Sequence, residues 1–192
     1  MRRLAIVMAA LAVLALAWCG VTVLWGEPVT GAIHHAQVGA LERRLRTEEA
    51  QAATRPRAAS PRVPAVADGA PVGRLTGRGI DAIVVMGDSV ADIRKGPGMW
   101  HARPGYGRTT VVSGHRTTYG APFRRLDSLR RGDRLKLVTP YETFVYRVTG
   151  TQIVDPSDVS IARDVGHERL VLTACNPMYS AAQQIIVFAD RI

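Results

Sequence analysis

The sequence predicts a mainly β domain, closed as a barrel or stacked as a sandwich, behind an N-terminal membrane-spanning helix. Three observations predict this. Leu4 to Trp25 contains no charged residue. A proline-rich stretch follows at residues 54–71. Residues 72–192 then contain short β-patterned runs separated by Gly and Pro, and seven or eight short strands in about 120 residues are typical of barrels and sandwiches.

The apolar N-terminal run is long enough to be a membrane anchor. It spans 22 residues, and about 20 helical residues cross a bilayer core. Arg2 and Arg3 predict a cytoplasmic N-terminus, which places the rest of the chain outside the cell. The alternative is a signal peptide cleaved near Ala15-Leu16-Ala17, but the run is longer than a typical signal core. We therefore assign residues 1–26 to a cytoplasmic start and an anchor.

Residues 27–71 read as a helix followed by a spacer. From Ala32 to Ala53, the residues His34, Val38, Leu41 and Leu45 recur at helical spacing, and we expect a solvated stalk helix. Thr54 to Pro71 contains four prolines among Ala, Arg and Ser. Such a composition predicts a semi-extended spacer that lifts the following domain off the membrane.

The remaining residues, 72–192, carry the β pattern. Helical periodicity is nearly absent there, apart from a possible turn or two at Pro122–Leu129. Alternation along Thr143–Val148 predicts one buried and one solvated face. The runs predicted as strands are Asp81–Met86, Arg108–Ser113, Arg134–Val138, Thr143–Val148, Gln152–Val154, Arg169–Thr173 and Gln184–Ala189.

Charge and cysteine content narrow the chemistry. The net charge of +9 suits anionic lipid, anionic wall polymers or nucleic acid equally, but no nucleic-acid-binding motif accompanies it, so we expect no nucleic-acid partner. Cys19 lies in the apolar run, so it is badly placed to pair with Cys175 in the folded domain. No cluster of four ligands predicts zinc. Cys175 is therefore expected to be an unpaired thiol, and such a thiol in an exported protein is often kept for its reactivity.

Cys175 and His115 each lie at the end of a predicted strand. Cys175 follows the apolar run Leu170–Ala174 and precedes Asn176-Pro177, which cannot continue a central strand. His115 follows Val111–Ser113 and Gly114. A thiol needs a partner to ionise near neutral pH, and histidine is the usual one. The alternatives are a small buried cysteine and a histidine in a surface loop, although the other four histidines fit the latter description better.

The two strand ends together carry a family resemblance. Ser113–Phe123 (SGHRTTYGAPF) and Leu172–Pro177 (LTACNP) closely resemble the two active-site signatures of sortases. The His-Arg-Thr and Cys-Asn-Pro forms, followed by Tyr179–Gln183 (YSAAQ), resemble class E sortases of actinobacteria. The resemblance implies a sortase-type closed β-barrel of about eight strands with short helices. It makes residues 72–192 a sortase-like catalytic domain.

What the resemblance implies is acyl transfer at the cell surface. Cys175 would cleave a C-terminal sorting signal similar to Leu-Ala-X-Thr-Gly between Thr and Gly, with His115 as its proton partner. The resulting thioester would pass to an amine of a peptidoglycan precursor or a pilin. Thr173, Ala174 and Asn176 would line the substrate groove. This chemistry needs no metal and no cofactor. The expected partners are exported proteins that carry the signal, and the protein would be a single-pass protein of the cell membrane with an extracellular catalytic domain.

The sequence departs from the family pattern at a third position. Gln184 stands where the family has an arginine thought to bind the substrate backbone and the oxyanion. Gln184 could donate in a weakened site, or Arg103 or Arg116 could reach in from a loop; Arg191 lies an odd number of residues away and is a poor surrogate. The alternative function is a catalytically impaired, sortase-like scaffold of the cell envelope. A papain-like protease is disfavoured because its cysteine precedes its histidine, whereas here the order is reversed.

Overall fold

The eight strands in the described part of the chain form one closed barrel. The structure is a computed structural model, which describes residues 2–25, 28–54 and 62–192. The strands are β1 (Pro71–Gly77), β2 (Ile80–Met86), β3 (Gly98–His101), β4 (Thr109–Ser113), β5 (Arg134–Val138), β6 (Thr143–Val154), β7 (Arg169–Asn176) and β8 (Gln183–Arg191). The helices are α1 (Arg2–Trp25), α2 (Pro28–Ala53) and α3 (Val90–Ile93), with 3₁₀ turns at Leu126–Ser128 and Val159–Ala162.

The order of strands around the barrel is β1-β2-β3-β4-β7-β8-β6-β5. Two neighbouring pairs are parallel, β2 with β3 and β4 with β7, and the other neighbours are antiparallel. Closure pairs every strand on both sides and leaves no open sheet edge. The predicted closed barrel of about eight strands is confirmed.

The strands β1 and β3 were not predicted, and the two runs predicted at Thr143–Val148 and Gln152–Val154 form the single strand β6. β1 and β3 are weak in sequence because glycines occupy positions where strands usually carry branched side chains. Gly73 is required in β1, because a Cβ there would collide with the backbone carbonyl of Val138 on β5. The run predicted at Gln152–Val154 continues β6 past a bulge at Val148/Gly150.

Side chains alternate between the inside and the outside of the barrel. On β7, Leu170, Leu172 and Ala174 belong to the interior cluster, whereas Val171 packs in a second cluster on the outer surface. The interior is filled by large side chains, including Phe123, Phe144 and Tyr146, which are fully buried. Because the period is two residues, Thr173 and Cys175 face the same outer side as Val171.

Helix α2 packs against the barrel. Leu41 and Leu45 are only 5% and 6% exposed. Leu41 forms a small cluster with Ile83 and Val85 of β2, and Glu42 lies 3.5 Å from Arg74 of β1. The helix is present as predicted, but the expectation of a solvated stalk is wrong, because its apolar stripe is covered by the outer face of β1 and β2.

The segment before β1 is also attached to the barrel. Val63 is 1% exposed and belongs to the interior cluster, and its backbone N–H donates to the Pro104 carbonyl at 3.1 Å. The predicted spacer therefore ends before Val63 rather than at Pro71. Residues 55–61 of that spacer lie outside the described residues.

Helix α1 has the properties of a membrane anchor. From Arg3 to Val21 it is long and apolar enough to cross a bilayer, and none of that stretch is buried against the rest of the protein. A helix of this composition near the N-terminus fits the predicted anchor.

Glu168 provides a test of the packing at the end of the barrel. Its carboxylate, 8% exposed, accepts from the Tyr146 hydroxyl at 2.9 Å, from Arg191 at 3.2 Å and from the Gly105 N–H at 2.9 Å. Glu168→Ala removes the acceptor of all three donors and should lower the free energy of unfolding by about 3 kcal/mol. Denaturant unfolding measures the loss, and exposed Arg131→Ala should change stability by no more than about 0.5 kcal/mol. Equal effects of the two substitutions would contradict this account.

Candidate active site

Cys175 is exposed on the outer surface at the end of β7. The residues before it are buried: Thr173 is 4% and Ala174 is 5% exposed. Ala174 was predicted to line the substrate groove, but its side chain packs in the barrel interior. Strand alternation is the physical reason, because a side chain next to an outward-facing cysteine must face inward. Of the three predicted groove residues, only Thr173 shares the outward side of β7 with Cys175, and Asn176 is half-buried at the strand end.

Parallel pairing brings the His115 segment beside Cys175. Ser113 of β4 is the register partner of Thr173 of β7. One residue further, the Gly114 N–H donates to the Thr173 carbonyl at 3.0 Å. In a parallel pair both strands end on the same side, so the residues that follow them meet at one end of the barrel. The two predicted signatures, 60 residues apart in sequence, are neighbours in the fold.

The loop from Gly114 to Phe123 is held tightly at both ends. A Cβ on Gly114 would lie 2.6 Å from the ring of Phe123, so only glycine lets that buried ring pack there. The Phe123 N–H donates a hydrogen bond to the His115 carbonyl at 3.0 Å. Between them, Tyr119 and Ala121 have φ values of 50° and 46°. Non-glycine residues are rarely left-handed, and such backbone persists where the surroundings enforce it, as at functional sites.

The imidazole of His115 is half-buried and has one nitrogen without a partner. Its ring centroid lies 5.0 Å from that of Tyr119. Its Nε2 is buried and makes no hydrogen bond, and among the described residues no hydrogen bond joins His115 to Cys175. Burial, followed by the nearby charges of Arg94 and His34, holds the pKa of His115 below its ordinary value. The ring is therefore neutral near pH 7 and able to accept a proton at Nε2.

Arg116 links the histidine loop to the segment that carries Cys175. It is 4% exposed, and its guanidinium donates to Asn176 Oδ1 at 3.1 Å and approaches the Cys175 carbonyl at 3.5 Å. On its other side it pairs with Asp127 at 2.8 Å. These contacts position the cysteine segment against the histidine loop. Because this guanidinium is buried and paired with Asn176 and Asp127, Arg116 is badly placed to serve as the loop donor considered from the sequence.

Gln184 lies directly opposite Cys175. The two residues are register partners on antiparallel β7 and β8, and Gln184 shares the outward side of the sheet with the cysteine. Its Oε1 accepts a hydrogen bond of 2.8 Å from the Thr173 hydroxyl. This bond fixes the amide plane and leaves the amide N–H groups free to donate to a substrate oxygen.

The other arginines considered from the sequence lie elsewhere. Arg191 pairs with Glu168 near the opposite end of β8, and Arg103 donates to the Val63 carbonyl. Sequence reasoning missed Arg94, whose guanidinium lies over the Tyr119 ring at 5.6 Å and whose charge acts on His115. It also missed His34. No local pattern marks either residue as part of the site, because both are distant from the two signatures in sequence and only the fold brings them near His115.

No metal site accompanies these groups. Among the residues that the structure describes, no three His, Cys, Asp or Glu side chains are grouped closely enough to hold a metal ion. The arrangement offers instead an exposed thiol, a neutral imidazole and an amide donor. These are groups that can perform acyl transfer by a nucleophile and a base.

Comparisons with known proteins agree with this geometry. The model of the sortase domain matches residues 74–192. The chain belongs to the sortase family. Sortase D of Bacillus subtilis is 35% identical over 116 residues, 57% of this chain and 57% of that protein. Sortase SrtE1 of Streptomyces coelicolor is 29% identical over 90 residues, 42% of this chain and 26% of that protein. The match thus spans little more than half the length of one curated relative and about a quarter of the other.

Solved sortases share the fold. The structure of sortase E from Streptomyces avermitilis superposes with a TM-score of 0.60 and 27% identity, covering 66% of this chain and 91% of that chain. This likeness and the match to SrtE1 agree with the predicted class E-like sortase. The matched residues contain β1 from Arg74 onwards and all of β2 to β8, with Cys175, His115 and Gln184, whereas α2 and His34 precede them.

Arg116→Ala tests whether Arg116 joins the two segments. Loss of the guanidinium leaves Asn176 and Asp127 without their partner and should lower the free energy of unfolding by about 2 kcal/mol. Amide exchange should accelerate in the residues around His115 and Cys175 and stay unchanged in β5, measured by mass spectrometry. Arg116→Lys should give a smaller but measurable effect, since its ammonium keeps the positive charge but cannot reach all the partners. Exposed Arg124→Ala is the control, and exchange unaltered by Arg116→Ala would contradict the assigned role.

The lowered pKa of His115 predicts a pH dependence of stability. A histidine with a native pKa below its unfolded value of 6.5 binds fewer protons in the native state than in the unfolded state. Stability then rises with pH in that window, so it should fall as the pH is lowered through and below 6.5. Urea unfolding from about pH 7.5 to about pH 5.5 measures the slope. His115→Phe should reduce the slope, leaving the part due to His34, whose pKa is also lowered by burial. An unchanged slope would contradict the assignment.

Proposed function

We propose that this sortase is a cysteine transpeptidase, with Cys175 as the nucleophile and His115 as the proton carrier. One observation carries the proposal. The end of β7 presents an exposed thiol beside a loop that holds a neutral imidazole with an unpartnered, buried Nε2. A nucleophile placed beside a base is the arrangement that covalent acyl transfer requires.

In the first half-reaction, His115 accepts the proton of the Cys175 thiol as the sulfur attacks a peptide carbonyl. The carbon–sulfur bond forms, and the tetrahedral oxygen carries the negative charge. The carbon–nitrogen bond then breaks, and the imidazolium gives its proton to the departing amine. Arg94 and His34 disfavour the imidazolium, which makes it a strong acid for this second transfer.

In the second half-reaction, an amine attacks the thioester on Cys175. His115 takes a proton from the incoming nitrogen, a new amide bond forms, and the sulfur leaves and is reprotonated. The product is the acyl group joined to the new amine. Water in place of the amine gives hydrolysis. Neither half-reaction requires a metal or an organic cofactor.

Gln184 is the proposed donor to the tetrahedral oxygen. Its position opposite Cys175 and its hydrogen bond from Thr173 support this role. An amide lacks the charge and the forked geometry of the guanidinium that the family pattern has at this position, so the oxyanion is stabilised less. We therefore propose an active enzyme with a weakened third group.

The proposed substrates are exported proteins with a C-terminal signal similar to Leu-Ala-X-Thr-Gly, cut between Thr and Gly. The class E-like character of the chain supports this choice of signal. The proposed acceptors are amines of a peptidoglycan precursor or of a pilin. Helix α1 would hold the protein in the cell membrane, with a cytoplasmic N-terminus set by Arg2 and Arg3 and the barrel outside. The proposed division keeps the anchor (1–26) and the catalytic domain (72–192), whereas the segment between them (27–71) is a linker only in part, because α2 and Val63 pack on the barrel.

A second function is favoured by the amide at position 184. If Gln184 cannot stabilise the oxyanion, the protein would bind sorting signals without turnover and act as an envelope scaffold. Removal of a single oxyanion donor costs about 100–1000-fold in rate. The two functions therefore differ in the rate of turnover, which depends on how well Gln184 donates. Product formation by the parent chain decides between them.

Thioester trapping tests the proposal. Incubated with a Leu-Ala-X-Thr-Gly peptide and hydroxylamine, the full chain in detergent should form a peptide hydroxamate, detected by mass spectrometry. Cys175→Ala should form none, because no acyl-enzyme can form. His115→Ala should be at least about 100-fold slower. A parent that binds the peptide but yields no hydroxamate would contradict the enzyme proposal and support the scaffold.

Substitutions of Gln184 test whether its amide donates to the tetrahedral oxygen. Gln184→Ala should lower the rate of hydroxamate formation about 100-fold, since it removes the donor, and Gln184→Arg should raise it above that of the parent. Exposed Gln152→Ala, on β6, is the matched control. If Gln184→Ala matched the parent in rate, the proposed role of the amide would be wrong.

A further inference from the structure

Helix α2 reaches the loop that carries the candidate catalytic histidine. Its middle is attached to the barrel by Leu41, which packs on Ile83 and Val85, and by the Glu42–Arg74 pair. Its earlier turns face a cleft of about 260 Å³ that is bounded on the barrel side by Pro97, Gly120 and others. The helix therefore runs from β1 and β2 towards residues 114–123.

His34 fills the space over Gly120. A Cβ added to Gly120 would collide with the ring of His34, so the two are in close contact. The ring also lies near the backbone of Arg94, while its Nδ1 is buried without a partner. Contact with Gly120 and proximity to Arg94 place His34 between the two segments that surround His115.

The groups that surround His115 come from several elements. Tyr119 contacts it from its own loop, Arg94 approaches from the residues after α3, and His34 approaches from α2. Arg116 is engaged with Asp127 below, and Cys175 lies at the end of β7. Lining the same cleft beside His34 are the charged or titratable residues His35, Glu42, Arg74, Asp81 and Lys95.

We propose that α2 forms part of the active site, with His34 as a positioning residue that closes the Tyr119–Gly120 turn over the imidazole of His115. This rests on the proposed function of His115. The helix lies outside the matched sortase domain, so the segment that follows the anchor completes a site that the domain alone leaves more open.

The physical effect is on the protonation of His115. With His34 in place, the imidazole is shielded from water, and burial is the largest cause of its lowered pKa. Removing His34 or detaching the helix should expose the ring of His115 to water. The pKa of His115 should then rise towards its ordinary value, and more of the enzyme should be protonated and inactive near neutral pH.

The experiment follows His115 in the full chain in detergent. Histidines labelled with ¹³C at the ring Cε1 are titrated by NMR, and His115→Phe identifies the signal. His34→Ala and Leu41→Asp should both move the His115 titration to higher pH. His34→Phe, which keeps a ring over Gly120, should retain most of the parent behaviour, and His35→Ala, a neighbour on the same helix, should match the parent. Leu41→Asp changes only the contact between α2 and the outer face of the barrel and keeps the test valid if His34→Ala does not fold.

The pH dependence of hydroxamate formation is the second readout. Its acid limb should move to higher pH in His34→Ala and Leu41→Asp, and should stay at the parent position in His35→Ala. A His115 titration that is the same in the parent, His34→Ala and Leu41→Asp would overturn the proposal. A parent that forms no hydroxamate would overturn the proposed function instead, and the NMR titration would still decide the role of His34.

Discussion

The site depends on the parallel pairing of β4 with β7. This ladder places Ser113 beside Thr173 and continues into the bond from the Gly114 N–H to the Thr173 carbonyl. A parallel pair brings the ends of two strands to the same side, so whatever follows them must meet. The chain places Gly114-His115-Arg116 after one strand and Cys175-Asn176 at the end of the other. No other contact in the described structure relates thiol and imidazole so directly.

Around this pairing, the surrounding residues restrict what each group can do. Arg116 binds the cysteine segment from below, and Phe123 packs on Gly114 and holds the far end of the histidine loop. Burial and positive neighbours keep His115 neutral, which suits a group that must first accept a proton and then release it. The thiol remains exposed, and Gln184 faces it with donor groups unused. The loop that carries His115 is thus held by packing and hydrogen bonds, whereas the thiol of Cys175 is exposed to an incoming substrate.

The sequence predicted the barrel and both strand ends because those features are local. Alternating side chains mark strands such as β6, and Gly114-His115 and Cys175-Asn176 lie where the strands stop. It did not predict β1 or β3, whose Gly73 and Gly98 are required by the close approach of the backbone carbonyls of Val138 and Gly87 rather than by any local preference. It also misplaced Ala174, whose inward direction follows from the register of β7.

The contribution of α2 could not be read from the sequence for a different reason. Val38, Leu41 and Leu45 give an apolar stripe too narrow to distinguish a docked helix from a solvated one. Whether the helix is docked depends on the outer face of β2, where Ile83 and Val85 pack against Leu41. The same holds for His34 and Arg94, which reach His115 through tertiary contacts. A site assembled from segments so far apart in sequence is set by topology, which no single motif encodes.

The central claim is that residues 115 and 175 face one another across the β4–β7 pair. In a chain with Cys19→Ser, His115→Cys places a second thiol opposite Cys175, and a short bis-alkylating reagent can join the two. The account predicts a single intramolecular cross-link, identified by peptide mass spectrometry, and none with His167→Cys, which lies before the start of β7. If both thiols at 115 and 175 react separately and no cross-link forms, the two groups do not share a site and the account is contradicted.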